Sequence, residues 1–308
     1  MKVIDHLSDF DKPSFSAVTI GTFDGVHKGH QTIIEQVVTE AREKKGASVL
    51  ITFWPHPRFV LNKDTGSLQL LSTFEEKLSI LESLGLDYVI KIPFTPEFSN
   101  LSAEAFIKEI LVDAIGVKSL YIGYDHRFGN NREGDINFLK KKSKEYHFEL
   151  NEIPRQDIDS IGVSSTKIRT ALNNGEVQFA NSLLNRSYSI SGKVIKGEKV
   201  GRTIGFPTAN ILIAESYKLL PGDGAYAVRV FIDGKQHLGM LNIGFKPTLD
   251  GSKRTIEVHV FNFEKDIYNK ELVIEFVRLL RKEIKFNSLE DLKSQLKLDK
   301  EQAMNILL

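Results

Sequence analysis

The sequence predicts an α/β domain built on a parallel sheet, followed by a smaller antiparallel β domain that a terminal helix closes. Three observations predict it. Strand-like and helix-like runs alternate up to about residue 185, as crossover connections between parallel strands require. From Tyr188 the runs become β-rich and are broken by Gly, Asp and Asn turns. The length of 308 residues suits two domains at the usual ~150 residues each.

The elements follow in order. "AVTIG" (Ala17–Gly21) is strand-like and leads into "HQTIIEQVVTEAREKKG", where Ile33, Ile34, Val37, Val38 and Ala41 recur at helical spacing before Gly46. "SVLITF" (Ser48–Phe53) is the next strand, followed by a helix around Phe74–Leu84 and a strand, "DYVIKIPF", from Asp87. A helix across Ala103–Ile115 precedes "KSLYIG" (Lys118–Gly123), and another helix precedes "FELNEI" near Phe148. The basic run "KKKSKEY" (Lys140–Tyr146) reads as the solvated face of that helix. The composition changes near "NNGEVQFANSLLNR", itself helical in pattern, which places the domain boundary between residues 185 and 186. Beyond it, "YSISGKVIKG", "GAYAVRVFIDG", "HLGMLNIG", "RTIEVHVFNF" and "ELVIEFVRLL" indicate a small antiparallel barrel or sandwich. "SLEDLKSQLKLDKEQAMNILL" is the last helix.

Composition narrows the function classes. The chain is 41% apolar and 26% charged, which is ordinary for a globular protein. A net charge of +1 gives no global reason to expect nucleic acid or an anionic membrane as partner. The absence of cysteine excludes disulfides, thiol nucleophiles and Cys-ligated zinc, and fits a reducing compartment. "MKVIDHLSDFDKPSF" has no signal-peptide core, and no apolar run reaches the ~18 residues that a membrane span needs. These features lead us to expect a cytoplasmic protein.

"TIGTFDGVHKGH" (Thr19–His30) sets two histidines where a strand gives way to a helix. With the helix starting near Gly29, His30 and His27 can both face the space beyond its N-terminus. Free amides and the positive dipole end attract anions there. Gly21, Gly25 and Gly29 permit close backbone approach, and imidazoles can donate to phosphoryl oxygens as charge develops. The stretch reads as a nucleotide-phosphate cradle. A paired-histidine metal site, which would need a third ligand, and a plain structural turn are the alternatives.

Other candidates lie at strand ends and helix starts. Pro55 and Pro57 stiffen a loop that could present His56, or simply make a rigid connection. Asp125 and Arg127 follow the "LYIG" strand, where an isolated loop ion pair is the bland alternative. In "SSTKIR", Ser164 or Ser165 can cap a helix, and Arg169 one turn on could meet a phosphate; a plain cap explains the serines equally.

These four stretches resemble one family in the same order. "GTFDGVHKGH" resembles the H-x-G-H signature of nucleotidylyltransferases, in the G-x-F-D-G-V-H-x-G-H version of bacterial FMN adenylyltransferases. "TFWPHP" resembles T-F-x-P-H-P, "GYDHRFGNNREGD" resembles G-x-[DN]-x-x-F-G-x-x-R-x-G, and "VSSTKIR" resembles I-S-S-T-x-I-R with Val163 for isoleucine. His126 stands where an aromatic residue is common in the family. The resemblance implies a Rossmann-like fold for this half, with His27, His30 and Arg169 catalytic. It also implies that Phe23, Asp24, His56, Asp125, Arg127, Ser164, Ser165 and Thr166 join the glycines in binding nucleotide or flavin.

The β-rich half holds a second candidate, "GKVIKGEKVGRTIGFPTANI" (Gly192–Ile211). Its glycines do not form a Walker A loop, and hairpin turns can explain them. Thr208 and Asn210 follow Pro207 at i, i+2, so in extended chain both oxygens face one side, as an oxygen-seeking Mg²⁺ prefers. Glu257 and His259 share one strand face, with Ile256, Val258 and Val260 on the other. A carboxylate there suits proton removal from a hydroxyl during phosphoryl transfer; the charged outer face of an edge strand is the bland alternative.

The stretch resembles the G-R-x-x-G-F-P-T-A-N motif of riboflavin kinases, and "GAYAV", "LNIGFKPT" and "IEVHVFNF" resemble further segments of that family. The resemblance implies that Thr208 and Asn210 hold Mg²⁺ and ATP, and that Glu257 is the base. It places Gly201, Arg202, Gly205, Pro207 and Asn242 in the same site and makes Arg278 a phosphate or flavin contact. Taken together, the two halves resemble the bifunctional bacterial riboflavin kinase/FAD synthetase family. The expectation is ATP-dependent phosphorylation of riboflavin to FMN by residues 186–308, and adenylylation of FMN to FAD with release of pyrophosphate by residues 1–185. Two readings compete: a nucleotidylyltransferase with another phosphorylated acceptor, and a non-catalytic flavin-nucleotide binding regulator.

Overall fold

In the computed structural model the chain divides into two compact units, Met1–Ser165 and Thr166–Leu308. The structure describes residues 1–61, 68–123, 127–130, 133–153, 162–197, 200–248 and 251–308.

The first unit is built on six parallel strands: β1 (Lys2–Ile4), β2 (Ser16–Ile20), β3 (Ala47–Trp54), β4 (Tyr88–Pro93), β5 (Ser119–Gly123) and β6 (Glu149–Ile153), in the order β1-β4-β3-β2-β5-β6. Side chains alternate across the sheet, as a strand period of two requires. Val18, Ile20, Val49, Ile51, Ile90 and Ile92 enter one core, while Ala17, Leu50 and Val89 enter the other. Helices α1 (Lys28–Glu43) and α2 (Phe74–Ser83) supply the second core through Ile33, Ile34, Val37, Val38 and Leu81. The first core takes Phe106, Ile107, Ile110 and Leu111 from α3 (Phe106–Ile115) and Leu139 from α4 (Ile136–Tyr146). Burial on both faces explains why β2 and β3 read as near-continuous apolar runs. The strand order reverses between β2 and β5. Open α/β sheets receive ligands at such a reversal, beyond the strands' carboxyl ends.

Two local expectations change. The predicted Ala103–Ile115 helix starts as an α-turn at Ala103–Ala105 and then continues with π-type geometry over α3. It stops at Gly116 in the left-handed region, where Val117 N donates to Leu111 O at 2.9 Å. The basic run on α4 is not a purely solvated face either. Lys142 is buried, ion-paired with Glu104 and, at 2.9 Å, with Glu145, and Glu104 also accepts from Tyr146.

The second unit is a closed antiparallel barrel, which settles the choice between barrel and sandwich. Its strands are β7 (Tyr188–Ile195), β8 (Ala209–Leu212), β9 (Gly224–Ile232), β10 (Lys235–Thr248), β11 (Gly251–Val260) and β12 (Glu271–Lys282), ordered β10-β11-β8-β7-β12-β9. Closure removes the exposed edges that an open sheet would carry. Two helices lead into it, α5 (Ser165–Asn173) and α6 (Val177–Leu184), and both bond to barrel residues. Gly222 N donates to Leu172 O, and Asn181 Nδ2 donates to Phe276 O, each at 2.8 Å. The last helix, α7 (Leu289–Leu307), is capped by Ser288 and anchored to β12 by a fully buried Asp299, which accepts from Arg281 at 2.9–3.1 Å and from Gln295.

Candidate active sites

In the first unit, the loop from Gly21 to His27 leaves β2 and enters α1. Three of its residues lie in the left-handed region: Phe23 (φ 48°), Gly25 (φ 77°) and Val26 (φ 39°). For a β-branched residue such as Val26 this is strained, and such strain persists only where the surroundings enforce it. Here they do. The Asp24 carboxylate is buried and accepts from Leu71 N at 2.9 Å and Ser72 N at 3.3 Å, while Gly25 N donates to Ser72 Oγ at 3.3 Å. Gln31 Nε2 donates to Val26 O at 2.8 Å.

Gly25 must be glycine. A Cβ added there would stand 2.7 Å from Leu71 Cδ1 at an unfavourable φ. A Gly25→Ala change is expected to destabilise the first unit by about 2 kcal/mol, read as a lower urea midpoint.

His27 caps α1: its Nδ1 accepts from His30 N at 3.4 Å, so the neutral ring carries its proton on Nε2. The ring is buried and stacks on that of His30, with centroids 3.6 Å apart and planes 15° from parallel. Phe23, also buried, packs on the other imidazole at 4.7 Å. The histidines are therefore one stacked pair at a helix N-terminus, and Phe23 and Asp24 serve to set the loop. Gly21 continues the sheet ladder by donating to Ile51 O at 3.0 Å, and Gly29 is buried in the first turn of α1.

Other predicted residues reach this region. Ser165, the first residue of α5, donates to Asp24 O at 3.1 Å, with exposed Ser164 just before it. A small cleft of about 10 Å³, room for roughly one water, is lined by Thr22, Asp24, Trp54, His56 and Lys77 among others. His56 Nδ1 accepts from Arg58 N at 3.2 Å. Arg127 is exposed on the loop after β5, beside Phe128, which pairs with Gly134 and packs on Phe106 at 5.5 Å. Asp125 and His126 lie outside the described residues. Thr166 and Arg169 follow on α5, within the second compact unit.

Lys77 was not among the sequence's candidates. It is buried, donates to Thr22 O at 3.2 Å and Thr52 Oγ1 at 3.0 Å, and is brought down to about 8 by burial, with Asp24 partly compensating. No motif signals it; the only sign is a lysine in the apolar-periodic "FEEKLSIL".

In the barrel, strand register builds the second site. Glu257 on β11 stands opposite Asn242 on β10 and opposite Asn210 on β8, so three polar side chains form one row across adjacent strands. Thr208 Oγ1, exposed just before β8, donates to Glu257 Oε2 at 2.9 Å. The alternating Ile256, Val258 and Val260 are buried, as the strand period requires. β11 is paired on both sides, which removes the reading of Glu257 and His259 as the outer face of an edge strand.

His259 has a place of its own: buried between Phe206 and Phe261, its Nδ1 lies 2.7 Å from Pro207 O. Burial holds it below the usual imidazole range; the Pro207 bond opposes this and Lys300 reinforces it. The neutral ring thus donates to Pro207 and fixes the "PTAN" chain from behind. The Glu-x-His alternation was the signal available for it.

Gly197 lies against the Asn210 amide, where a Cβ would stand 2.0 Å from Nδ2. Gly201 O accepts from Phe206 N at 2.8 Å, closing the turn that carries Arg202 and Gly205 into Pro207. Arg278 is exposed on β12 opposite Ala227 of β9, which in turn stands opposite Met240 of β10, so one strand lies between Arg278 and the strand that carries Asn242. Threonine hydroxyl, asparagine carbonyl and glutamate carboxylate are all hard oxygen donors, a set that fits Mg²⁺. Among the described residues no group of three or more His, Cys, Asp or Glu could hold a metal by itself. Mg²⁺ commonly takes one or two protein oxygens and completes its shell with phosphate and water.

Comparisons with known proteins agree with this geometry. Residues 10–167 match the family described as FAD synthetase, and residues 184–307 match the family described as riboflavin kinase. Bifunctional riboflavin kinase/FMN adenylyltransferases are similar along almost the whole chain. The Listeria monocytogenes protein is 39% identical, covering 96% of this chain and 93% of its own. That of Escherichia coli K12 is 37% identical, covering 92% and 90%. A crystal structure from Streptococcus pneumoniae described as a macrolide-efflux protein superposes with a TM-score of 0.90 at 31% identity, covering 99% of this chain and 98% of that one. Among the described residues of the present chain no helix is long and apolar enough to cross a membrane. With an FAD synthetase region followed by a riboflavin kinase region, and relatives above 30% identity over nearly its full length, the chain belongs to the bifunctional riboflavin kinase/FMN adenylyltransferase family.

Proposed function

We propose that the two activities of this family divide between the two candidate sites, with residues 1–185 forming FAD and residues 186–308 forming FMN. The protein is a transferase of flavin cofactor biosynthesis that uses ATP twice. The observation that carries this reading is chemical: a stacked imidazole pair at a helix N-terminus lies in one unit, and a carboxylate–hydroxyl–carboxamide row lies in the other.

In the barrel the terminal ribityl hydroxyl of riboflavin attacks the γ-phosphorus of ATP, and ADP leaves. Glu257 takes the hydroxyl proton as the oxygen–phosphorus bond forms. Thr208 and Asn210 would hold Mg²⁺, which supplies charge neutralisation on the phosphates when bound. His259 keeps Pro207, and with it Thr208, aligned to Glu257. Asn242, Gly201, Arg202 and Gly205 line the nucleotide and flavin path, and Arg278 is the outermost candidate contact.

In the first unit a phosphate oxygen of FMN attacks the α-phosphorus of a second ATP and the α–β bridging bond breaks, releasing pyrophosphate. The nucleophile is already anionic, so no covalent enzyme intermediate is needed, and alignment with charge stabilisation does the work. Nε2–H of His27 and the imidazole of His30 donate to phosphoryl oxygens, aided by the positive dipole end of α1. Ser164 and Ser165, the latter bonded to the Asp24 carbonyl, bind phosphate beside the loop, and His56, Asp125 and Arg127 serve nucleotide and flavin. Both substrates are small and diffusible, which suits a cytoplasmic monomer or weak homo-oligomer.

Incubating the protein with riboflavin and Mg-ATP and separating the flavins chromatographically tests this. FMN should appear first and FAD should accumulate from it. Unchanged riboflavin would support a binding regulator, and FMN without FAD would support another adenylyl acceptor.

A further inference from the structure

Lys77 is a buried cation that neither reaction scheme uses. It stands on α2, and its ammonium touches two other elements at the carboxyl ends of the sheet: the carbonyl of Thr22, where the loop leaves β2, and the hydroxyl of Thr52, on β3. The ammonium also lies 4.9 Å from the centre of the Phe74 ring. Only about 5% of the residue is exposed. Burying an ammonium is expensive, and a carbonyl and a hydroxyl could be tied together by a neutral donor. A perturbed cation in a cleft beside strained backbone is a mark of a functional site.

The loop supplies the reason. Phe23, Gly25 and Val26 are held in the left-handed region, so the segment needs anchors at both ends. Asp24, bonded to the amides of Leu71 and Ser72, is the anchor on one side of Phe23, and Thr22, held by Lys77, is the anchor on the other. The charged groups around the ammonium are few among the described residues. Asp24 attracts it, His56 lines the same cleft, and Lys91 approaches the Phe74 ring from β4 at 5.4 Å.

We propose that Lys77 is a positioning residue for adenylyl transfer, holding the Thr22 carbonyl and the Thr52 hydroxyl so that the strained loop keeps His27 and His30 at the N-terminus of α1. This inference rests on the assignment of FAD formation to that loop. It acts through geometry, so its loss lowers turnover more than substrate affinity. Burial brings the group to about 8, so the charge-assisted bonds weaken as pH rises through that value.

The test uses the full chain with FMN and Mg-ATP as substrates and compares Lys77→Met, Thr52→Val, the double variant and His30→Ala. Lys77→Met is expected to lower kcat for FAD formation about 100-fold with KM nearly unchanged, to leave riboflavin phosphorylation intact, and not to lower the unfolding midpoint, since it removes a buried charge. Thr52→Val should cost severalfold, and the double variant should be no slower than Lys77→Met, because the two groups act as one unit. Wild-type kcat/KM for FAD formation should fall above about pH 8, and that limb should be absent in Lys77→Met.

FAD formation within threefold of wild type in Lys77→Met overturns the inference. So does a loss that tracks a lowered unfolding midpoint and leaves the alkaline limb in place. If Lys77→Met does not fold, normal activity in Thr52→Val or a wild-type profile flat through pH 8 overturns it instead. Undiminished FAD formation in His30→Ala would defeat the underlying site assignment, whatever the lysine variants do.

Discussion

His30→Ala is expected to stop FAD formation, by at least ~10²–10³-fold, while the same chain still converts riboflavin to FMN at the wild-type rate. The ring of His30 is stacked on His27 at 3.6 Å and packed by the tilted Phe23 ring at 4.7 Å, so its removal deletes one donor and releases the other from its stack. The backbone N–H that His27 caps is retained, as is the clamp of Asp24 on Leu71 and Ser72, so the loop itself should persist. The check is a pair of initial rates, riboflavin to FMN and supplied FMN to FAD, with a thermal melt of each protein. Loss of both rates in a folded variant would mean that the histidines do not belong to one reaction alone.

The converse holds for Glu257→Gln. Riboflavin phosphorylation should fall by ~10²–10⁴-fold, the range that a positioned general base contributes, while adenylylation of supplied FMN continues. Glutamine is the informative substitution because its carbonyl can still accept from Thr208, which donates to Glu257 at 2.9 Å, so the geometry survives and the basicity does not. Preserved phosphorylation in this variant would show that another group accepts the proton. Each variant serves as the control for the other.

Much of this architecture was legible in the chain. The short apolar runs of β2, β3 and β4 and the helical spacing of Ile33, Ile34, Val37, Val38 and Ala41 are local signals, and the folded chain uses them as read. What needed the structure was long-range. Whether the β-rich half closes into a barrel depends on β9 pairing with both β10 and β12, and no local pattern specifies two partners. The row of Asn242, Glu257 and Asn210 exists only once the registers of β10, β11 and β8 are set.

The first site shows the same division. "GTFDGVHKGH" pointed to the histidines, but not to His27 spending Nδ1 on its own helix or to Asp24 turning its carboxylate on the 71–72 backbone. Lys77 was invisible because a lysine in an amphipathic helix normally faces water, and its burial follows from Thr22 and Thr52 arriving from distant parts of the chain. The π-type geometry of α3 left no trace in a periodicity that suits an ordinary helix equally well.

The central claim is that one chain carries two chemically different ATP sites acting in series on a flavin. Isotope tracing tests it most directly: riboflavin, Mg²⁺ and wild-type protein are given ATP labelled with ³²P at the γ position or, separately, at the α position. The γ label should enter FMN and persist in FAD, whereas the α label should enter FAD and never FMN. An α label in FMN, or FAD lacking either label, would contradict the account.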